Sequence, residues 1–201
     1  MGVGRIDLYY AHRPDPRTPL TETIAAFNEL IQDGTVAEWA ISNYSADETE
    51  MVVRAARAMG LRPPAANQVS YSLADRSAET DGLSQRAESL GVSLVAYGPL
   101  GGGLLGGPVA AAREYAGHRR WGGAGFTSRE LAGAQQLSEL AAEWGYELAV
   151  LALAWLLSHQ NVASAILGTS SRRNLATACA AVEAELTPEQ ISALDMLLSS
   201  W

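Results

Sequence analysis

The sequence predicts an α/β fold built around a parallel sheet, and three observations carry that prediction. Short apolar runs rich in Val, Ile and Tyr alternate with longer amphipathic stretches along the chain. Turn and capping signals separate the two kinds of run. A chain of 201 residues, 48% hydrophobic and 18% charged, is long and apolar enough to enclose a substantial core.

The expected strands lie at 5–11, 36–42, 65–70, 92–97 and 162–167. Helices are expected at 19–33, 46–59, 78–90, 129–144 and 171–182, by the spacing of their apolar residues. The stretches "QDGT" at 32–35 and "AMGLRPP" at 58–64 end the first two helices with a Gly where a left-handed cap residue belongs. "GPLGGGLLGGPVAAAREYAGHRRWGGAGFTSRE", 98–130, is a glycine-dense connection far longer than a usual βα loop of ~2–6 residues. "YELAVLALAWLLSH", 146–159, adds a helix before the last strand. "LTPEQ", 186–190, opens a final helix with Thr187 as cap, Pro188 at the first position and Gln190 closing a capping box. With no Ser/Pro-rich linker and no low-complexity tract, residues 1–201 are expected to form one domain.

Composition narrows the chemistry. A net charge of −8 with no basic stripe argues against nucleic acid or an anionic membrane as partner and leaves a small-molecule ligand. All 14 basic residues are arginines, so Schiff-base chemistry, a P-loop lysine and a lysine tuning a tyrosine are excluded within this chain. Cys179 is the sole cysteine, which rules out an intrachain disulfide and a multi-cysteine metal site, and no metal is expected. Its apolar setting, "LATACAAV", predicts a buried helix residue. "MGVGRID" holds no apolar signal segment and "ELAVLALAWLL" is too short to span a bilayer, so a cytoplasmic setting is expected.

Polar residues gather where each strand gives way to its loop. His12 follows the first strand, Ser42 and Asn43 the second, Asn67 and Gln68 stand at the third, Tyr97 ends the fourth, and Gly168 to Ser171 follow the fifth. In barrel-type α/β folds the C-terminal strand ends form the active face, so this placement is that of a binding site.

The stretches "GRIDLYYAHRPDP" (4–16), "LTETIAAFNELIQDGTVAEWAISNYS" (20–45), "NQVSYSL" (67–73), "LVAYGPLGGGLL" (94–105) and "ILGTSSRRNL" (166–175) together resemble the aldo/keto reductases. The resemblance is to the branch that includes potassium-channel β subunits and many bacterial reductases. It implies a partial (β/α) barrel of the TIM type, with five of eight βα units plus a C-terminal helix. In the family the segment matching "RIDLYYAH" is the fourth strand, so the first three units have no counterpart in these 201 residues.

The resemblance also implies site roles. The family reduces carbonyls with an aspartate, a tyrosine that donates the proton, a lysine that tunes it and a histidine. A carbonyl that accepts hydride becomes an alkoxide, which must be protonated and stabilised in place. Only the histidine has a counterpart, His12, so the chain alone is expected to be incomplete as a reductase. Tyr9 and Tyr10, lower on the same strand, are expected in the core or on the outer face. By the same resemblance Ser42, Asn43 and Gln68 hydrogen-bond the carboxamide of NADP(H), and Tyr97 stacks on its nicotinamide ring. Gly98, Pro99, Leu100 and Gly101 pass over the pyrophosphate, and Thr169, Ser170, Arg172, Arg173 and Asn174 lie near the adenosine 2′-phosphate. Family members carry Gln or Arg where this chain has Asn174, and Asn where it has Ala178. The lost contacts predict affinity weakened by about 1–3 kcal/mol.

Removing three units from a closed barrel leaves two open strand edges, which predicts a homo-oligomer or another partner that covers them. Two other functions fit the residues. One is a non-redox cyclase, dehydratase or isomerase with His12 as acid or base. Asp15, the only further acid near it, reads as a loop turn residue. The other is a nucleotide-binding subunit of a larger complex.

Overall fold

The computed structural model describes residues 2–112 and 124–198. Strands β1 (Ile6–Ala11), β2 (Val36–Ser42), β3 (Ala66–Ser70), β4 (Ser93–Tyr97) and β5 (Val162–Ile166) form one sheet in the order β1-β2-β3-β4-β5. The pairs β1–β2 and β2–β3 are parallel. The expected α/β class and all five expected strands are present. The chain packs as two compact units, Met1–Val69 with Ser77–Val95, and Ser70–Arg76 with Ala96–Trp201.

In the first unit, strand alternation sorts β2 onto two faces. Trp39 and Ile41 point to the side covered by helices α1 (Leu20–Gln32) and α2 (Ala46–Ala58), where they pack with Ile24, Tyr44, Val52 and Ala56. Ala40 points the other way and packs with Ala66 and Val95, joined by half-buried Leu8 and Tyr10. Phe27 lies between Tyr9 and Trp39, with ring centroids 5.4 and 5.0 Å away. Tyr9 thus serves the outer face and Tyr10 the opposite one.

The indole Nε1 of Trp39 donates to the Arg62 carbonyl at 2.8 Å, and buried Asn28 holds the same residue through its carbonyl (3.2 Å) and its N–H (2.9 Å). These bonds satisfy polar atoms that burial would otherwise leave without partners. Gly34 and Gly60 follow α1 and α2 at φ +80° and +67°, as the left-handed cap position requires. The helix expected over 78–90 divides into α3 (Ser77–Thr80) and α4 (Leu83–Leu90), because Gly82 adopts φ +74° between them. Arg86 of α4 pairs with Glu50 of α2, and Arg57 donates to the Leu90 carbonyl at 2.9 Å.

In the second unit the long glycine-rich connection contains a 3₁₀ helix over Gly101–Gly106 followed by α5 (Pro108–Ala111). Residues 113–123 of that connection lie outside the described residues. Helix α6 (Ser128–Glu143) starts from a capping box between Thr127 and Glu130, and α7 (Leu148–Leu157) is buried except at Ala149 and Leu157. A helix apolar on every side belongs in a core.

Trp155 of α7 meets Tyr71 and His159 edge to face at 5.8 and 4.5 Å, with the Arg76 guanidinium 5.1 Å from its ring centroid. Arg76 also pairs at 2.8 Å with Asp195 of α9 (Pro188–Leu198), whose start carries the expected Thr187–Gln190 capping box. Helix α8 (Arg172–Ala180) departs from expectation. None of its residues is buried, and Cys179 is exposed rather than in a core, because only one side of α8 meets packed neighbours, at Ala178. Among the described residues no single helix is long and apolar enough to cross a membrane.

Candidate functional site

Four of the predicted site residues belong to the first unit, and hydrogen bonds tie them together. β2 ends at Ser42 beside Gln68 of β3. The buried Ser42 hydroxyl donates to the Gln68 carbonyl at 2.9 Å, and the Asn43 N–H donates to the same oxygen at 2.9 Å. Asn43 then turns the chain at φ +62°, the only left-handed residue other than glycine among those described. Asn tolerates that region because its short amide bonds locally. Here Nδ2 donates to the His12 carbonyl and to the Ser42 Oγ, each at 3.0 Å.

Both hydrogens of that amide are therefore engaged with the protein. The Gln68 side chain, which carries a donor and an acceptor, is half-buried. His12 joins the cluster through its backbone, with an exposed ring. Two residues after the turn, Ser45 caps α2 and accepts from the Glu48 N–H at 3.3 Å, while Glu48 accepts from the Ser45 N–H at 2.8 Å. The S-x-x-E spacing is that of a capping box, a signal the apolar spacing alone did not use.

Asn67, expected beside Gln68 at the strand end, faces the core instead. It is fully buried and donates to the Tyr44 carbonyl at 2.8 Å and to Thr49 Oγ1 at 3.0 Å. Alternation along β3 puts neighbouring residues on opposite faces, so Asn67 and Gln68 cannot share one site. Tyr44 is buried as well. Its phenol pKa is raised, first by burial and then by the negative charges of Glu48 and Asp15. Asp15 is the turn residue expected, accepting from the Arg17 N–H and the Thr18 hydroxyl at 3.0 Å each.

The remaining predicted residues belong to the second unit. Tyr97 is exposed, and its carbonyl accepts from the Tyr71 N–H at 3.3 Å. Gly98 and Gly101 both take left-handed φ, +63° and +56°, and close a turn through the Gly101 N–H to the Gly98 carbonyl at 2.8 Å. A Cβ at Gly101 would stand 3.2 Å from the Ala74 methyl, so the turn sits tightly on the 70–76 loop. Pro99 is buried, and Leu100 packs with Val150, Leu153 and Ala181 in a cluster that includes Ala165 and Ala178. Those two side chains anchor the turn from beneath.

Before α8, Thr169 Oγ1 accepts from the Ser171 N–H at 3.1 Å, and Ser171 caps the helix by accepting from the Asn174 N–H at 3.4 Å. Thr169, Ser170, Arg172, Arg173 and Asn174 are all exposed. A groove of about 430 Å³ elsewhere in the unit, between the start of α7 and α8, contains none of the predicted residues. Glu147, Glu183 and Glu185 line it, which disfavours an anionic ligand. Among the described residues no group of three or more His, Cys, Asp or Glu side chains could hold a metal ion.

The family model described as "Aldo/keto reductase family" matches residues 1–199. The chain belongs to the aldo/keto reductase family. It is 32% identical to the L-glyceraldehyde 3-phosphate reductase of Escherichia coli (strain K12), over 87% of this chain and 53% of that protein. It is 31% identical to a putative voltage-gated potassium channel subunit beta of Schizosaccharomyces pombe, over 99% of this chain and 61% of that one.

Among solved structures, the thermostable aldo-keto reductase Tm1743 in complex with the inhibitor epalrestat matches with a TM-score of 0.76 and 28% identity. That match covers 96% of this chain and 60% of the other. The chain therefore spans between one half and two thirds of the length of the aldo/keto reductase relatives it matches. Its five βα units correspond to part of an aldo/keto reductase barrel, as the motifs implied.

Proposed function

We propose that this chain recognises NADP(H) with the aldo/keto reductase groups it carries and does not by itself reduce carbonyls. The observation that carries the reading is the interlocked turn of Ser42, Asn43 and Gln68, which is ordered by its own hydrogen bonds. A turn already held in place loses little further freedom when a ligand docks.

When bound, the nicotinamide supplies a hydride. The Gln68 amide would meet its carboxamide, while Asn43 frames the turn with both amide hydrogens engaged. In the second unit, exposed Arg172 and Arg173 in the first turn of α8 offer cations to a phosphate, where the helix dipole adds to their effect. Tyr97 and the Gly98–Gly101 turn complete the proposed set.

Reduction fails in this reading because no side chain of these 201 residues takes the roles of the family's aspartate, tyrosine and lysine. His12 alone cannot both donate the proton and tune the donor. A cytoplasmic setting, and cover of the outer strands by a second copy or another chain, belong to the same proposal.

The test is titration of the 201-residue chain with NADPH, followed by tryptophan fluorescence, beside an assay of NADPH oxidation with small aldehydes. Saturable binding at micromolar NADPH without aldehyde-dependent oxidation is expected. No binding up to millimolar NADPH would overturn the recognition, and aldehyde-dependent oxidation would overturn the incompleteness.

A further inference from the structure

We infer that Asn67 is a positioning residue for the Ser42–Asn43–Gln68 turn, an inference that rests on the carboxamide reading of that turn. Its side chain lies on the opposite face of β3 from that of Gln68, fully buried, with both Nδ2 hydrogens donated: one to the carbonyl of Tyr44, the residue after Asn43, and one to Thr49 Oγ1. The Thr49 hydroxyl in turn donates a hydrogen bond to the Ser45 carbonyl at 2.7 Å.

The left-handed Asn43 is thus held between two neighbouring residues of one strand. The Gln68 carbonyl grips its N–H on one side, and the Asn67 amide grips the next carbonyl on the other.

The Oδ1 of Asn67 makes the case specific. It is buried without a hydrogen-bond partner among the described residues, a state that is unfavourable and needs a reason. A leucine of nearly the same shape would fill the space without an orphan oxygen. The amide's value must lie in its two donors, and these end on the backbone and first helical turn that follow Asn43. Asn67 touches no proposed ligand group, so it acts by fixing the turn that does.

The experiment compares Asn67→Leu with Thr49→Val, which removes one acceptor and leaves the Tyr44 bond. Two readouts are taken on the full chain at a temperature where every variant is folded. One is affinity for β-nicotinamide mononucleotide. The other is amide hydrogen exchange at Asn43, referenced to the Ile6 N–H, which is bonded to the Thr35 carbonyl at the far end of the strands.

Asn67→Leu is expected to speed Asn43 exchange about tenfold relative to Ile6 and to weaken mononucleotide binding by a similar factor, the scale of one hydrogen bond. Thr49→Val should move neither by comparable amounts. Should Asn67→Leu not fold, Asn67→Asp, which keeps the shape and exchanges donor for acceptor, is read in the same way.

Parallel acceleration at Asn43 and Ile6, or none at either, overturns the positioning role. Selective acceleration at Asn43 in a protein that never binds the mononucleotide upholds the positioning role and overturns the carboxamide reading.

Discussion

The Ser42–Asn43 turn and the start of α8 are held in opposite ways. Around the turn, bonds span 23 to 31 positions in sequence: from Gln68 of β3, from His12 just after β1 and from Asn67 on the core side. Before α8, the bonds that order Thr169, Ser171 and Asn174 span two or three residues. No residue of α8 is buried, and Leu175 is 55% exposed. Long-range bonds order a segment only once the fold exists, and the fold then enforces them cooperatively. Local bonds order it at any time but weakly. The first region is held by the fold, and the second by its own neighbours in sequence.

The substitution that should separate the two regions most is Asn43→Ala. It removes both Nδ2 bonds, the local bonds that let a residue with a β-carbon keep φ +62°. Their loss should cost about 1–3 kcal/mol of unfolding free energy, the scale of two modest hydrogen bonds. Asn43→Gly escapes the left-handed backbone penalty and should cost about half as much. Urea unfolding of both variants checks the point. Equal losses for Ala and Gly would mean that the left-handed backbone is not what the bonds maintain.

What the sequence made legible follows the same division. Strand and helix spans, the glycine caps at 34 and 60 and the Thr187–Gln190 box are local patterns, and the structure has them where the pattern put them. The break at Gly82 was readable in principle from the turn-forming pair Asp81 and Gly82, but the apolar period ran across it. Cys179 was expected in a core because its neighbours are apolar. Apolar spacing shows which face a helix offers, not whether anything covers it.

The turn's residues were legible as a cluster, since His12, Ser42, Asn43 and Gln68 all stand at strand ends. Their division of labour was not. That Asn43 holds the His12 carbonyl, and that Asn67 faces away from Gln68, depend on register and on a left-handed residue, which no single-chain pattern encodes.

A smaller effect tests the second region. Ser171→Ala removes the cap of α8 and should lower its local stability by about 1 kcal/mol, read as faster exchange of the α8 amides. Leu175→Ser, on the same helix, should change stability by less than ~0.5 kcal/mol, because the side chain it replaces is already in water. A large loss from Leu175→Ser would show that α8 is covered in solution. The contrast with the turn would then be one of partners rather than of bond length along the chain.

The smallest expected effect lies in the loop after β1. The Arg17 N–H, followed by the Thr18 hydroxyl, holds the Asp15 carboxyl below the usual aspartate value of about 3.9. A folded pKa below the unfolded one means that the native state binds fewer protons in the interval between them. The stabilisation is therefore fully present above the unfolded value and fades as pH falls through the folded one. Because Asp15 lies at the surface, solvent screens the effect and keeps it small. The difference in stability between the wild type and Asp15→Asn should be constant around neutral pH and shrink as the pH falls below the unfolded value and through the folded one. A difference that grew as the pH fell would mean that the loop's bonds favour the protonated carboxyl, contrary to the two donors that meet it. The same variant leaves Gln68, Ser42 and Asn43 untouched. Unchanged exchange at the Asn43 amide would then show that the turn is held by β2 and β3 and not by the loop that follows His12.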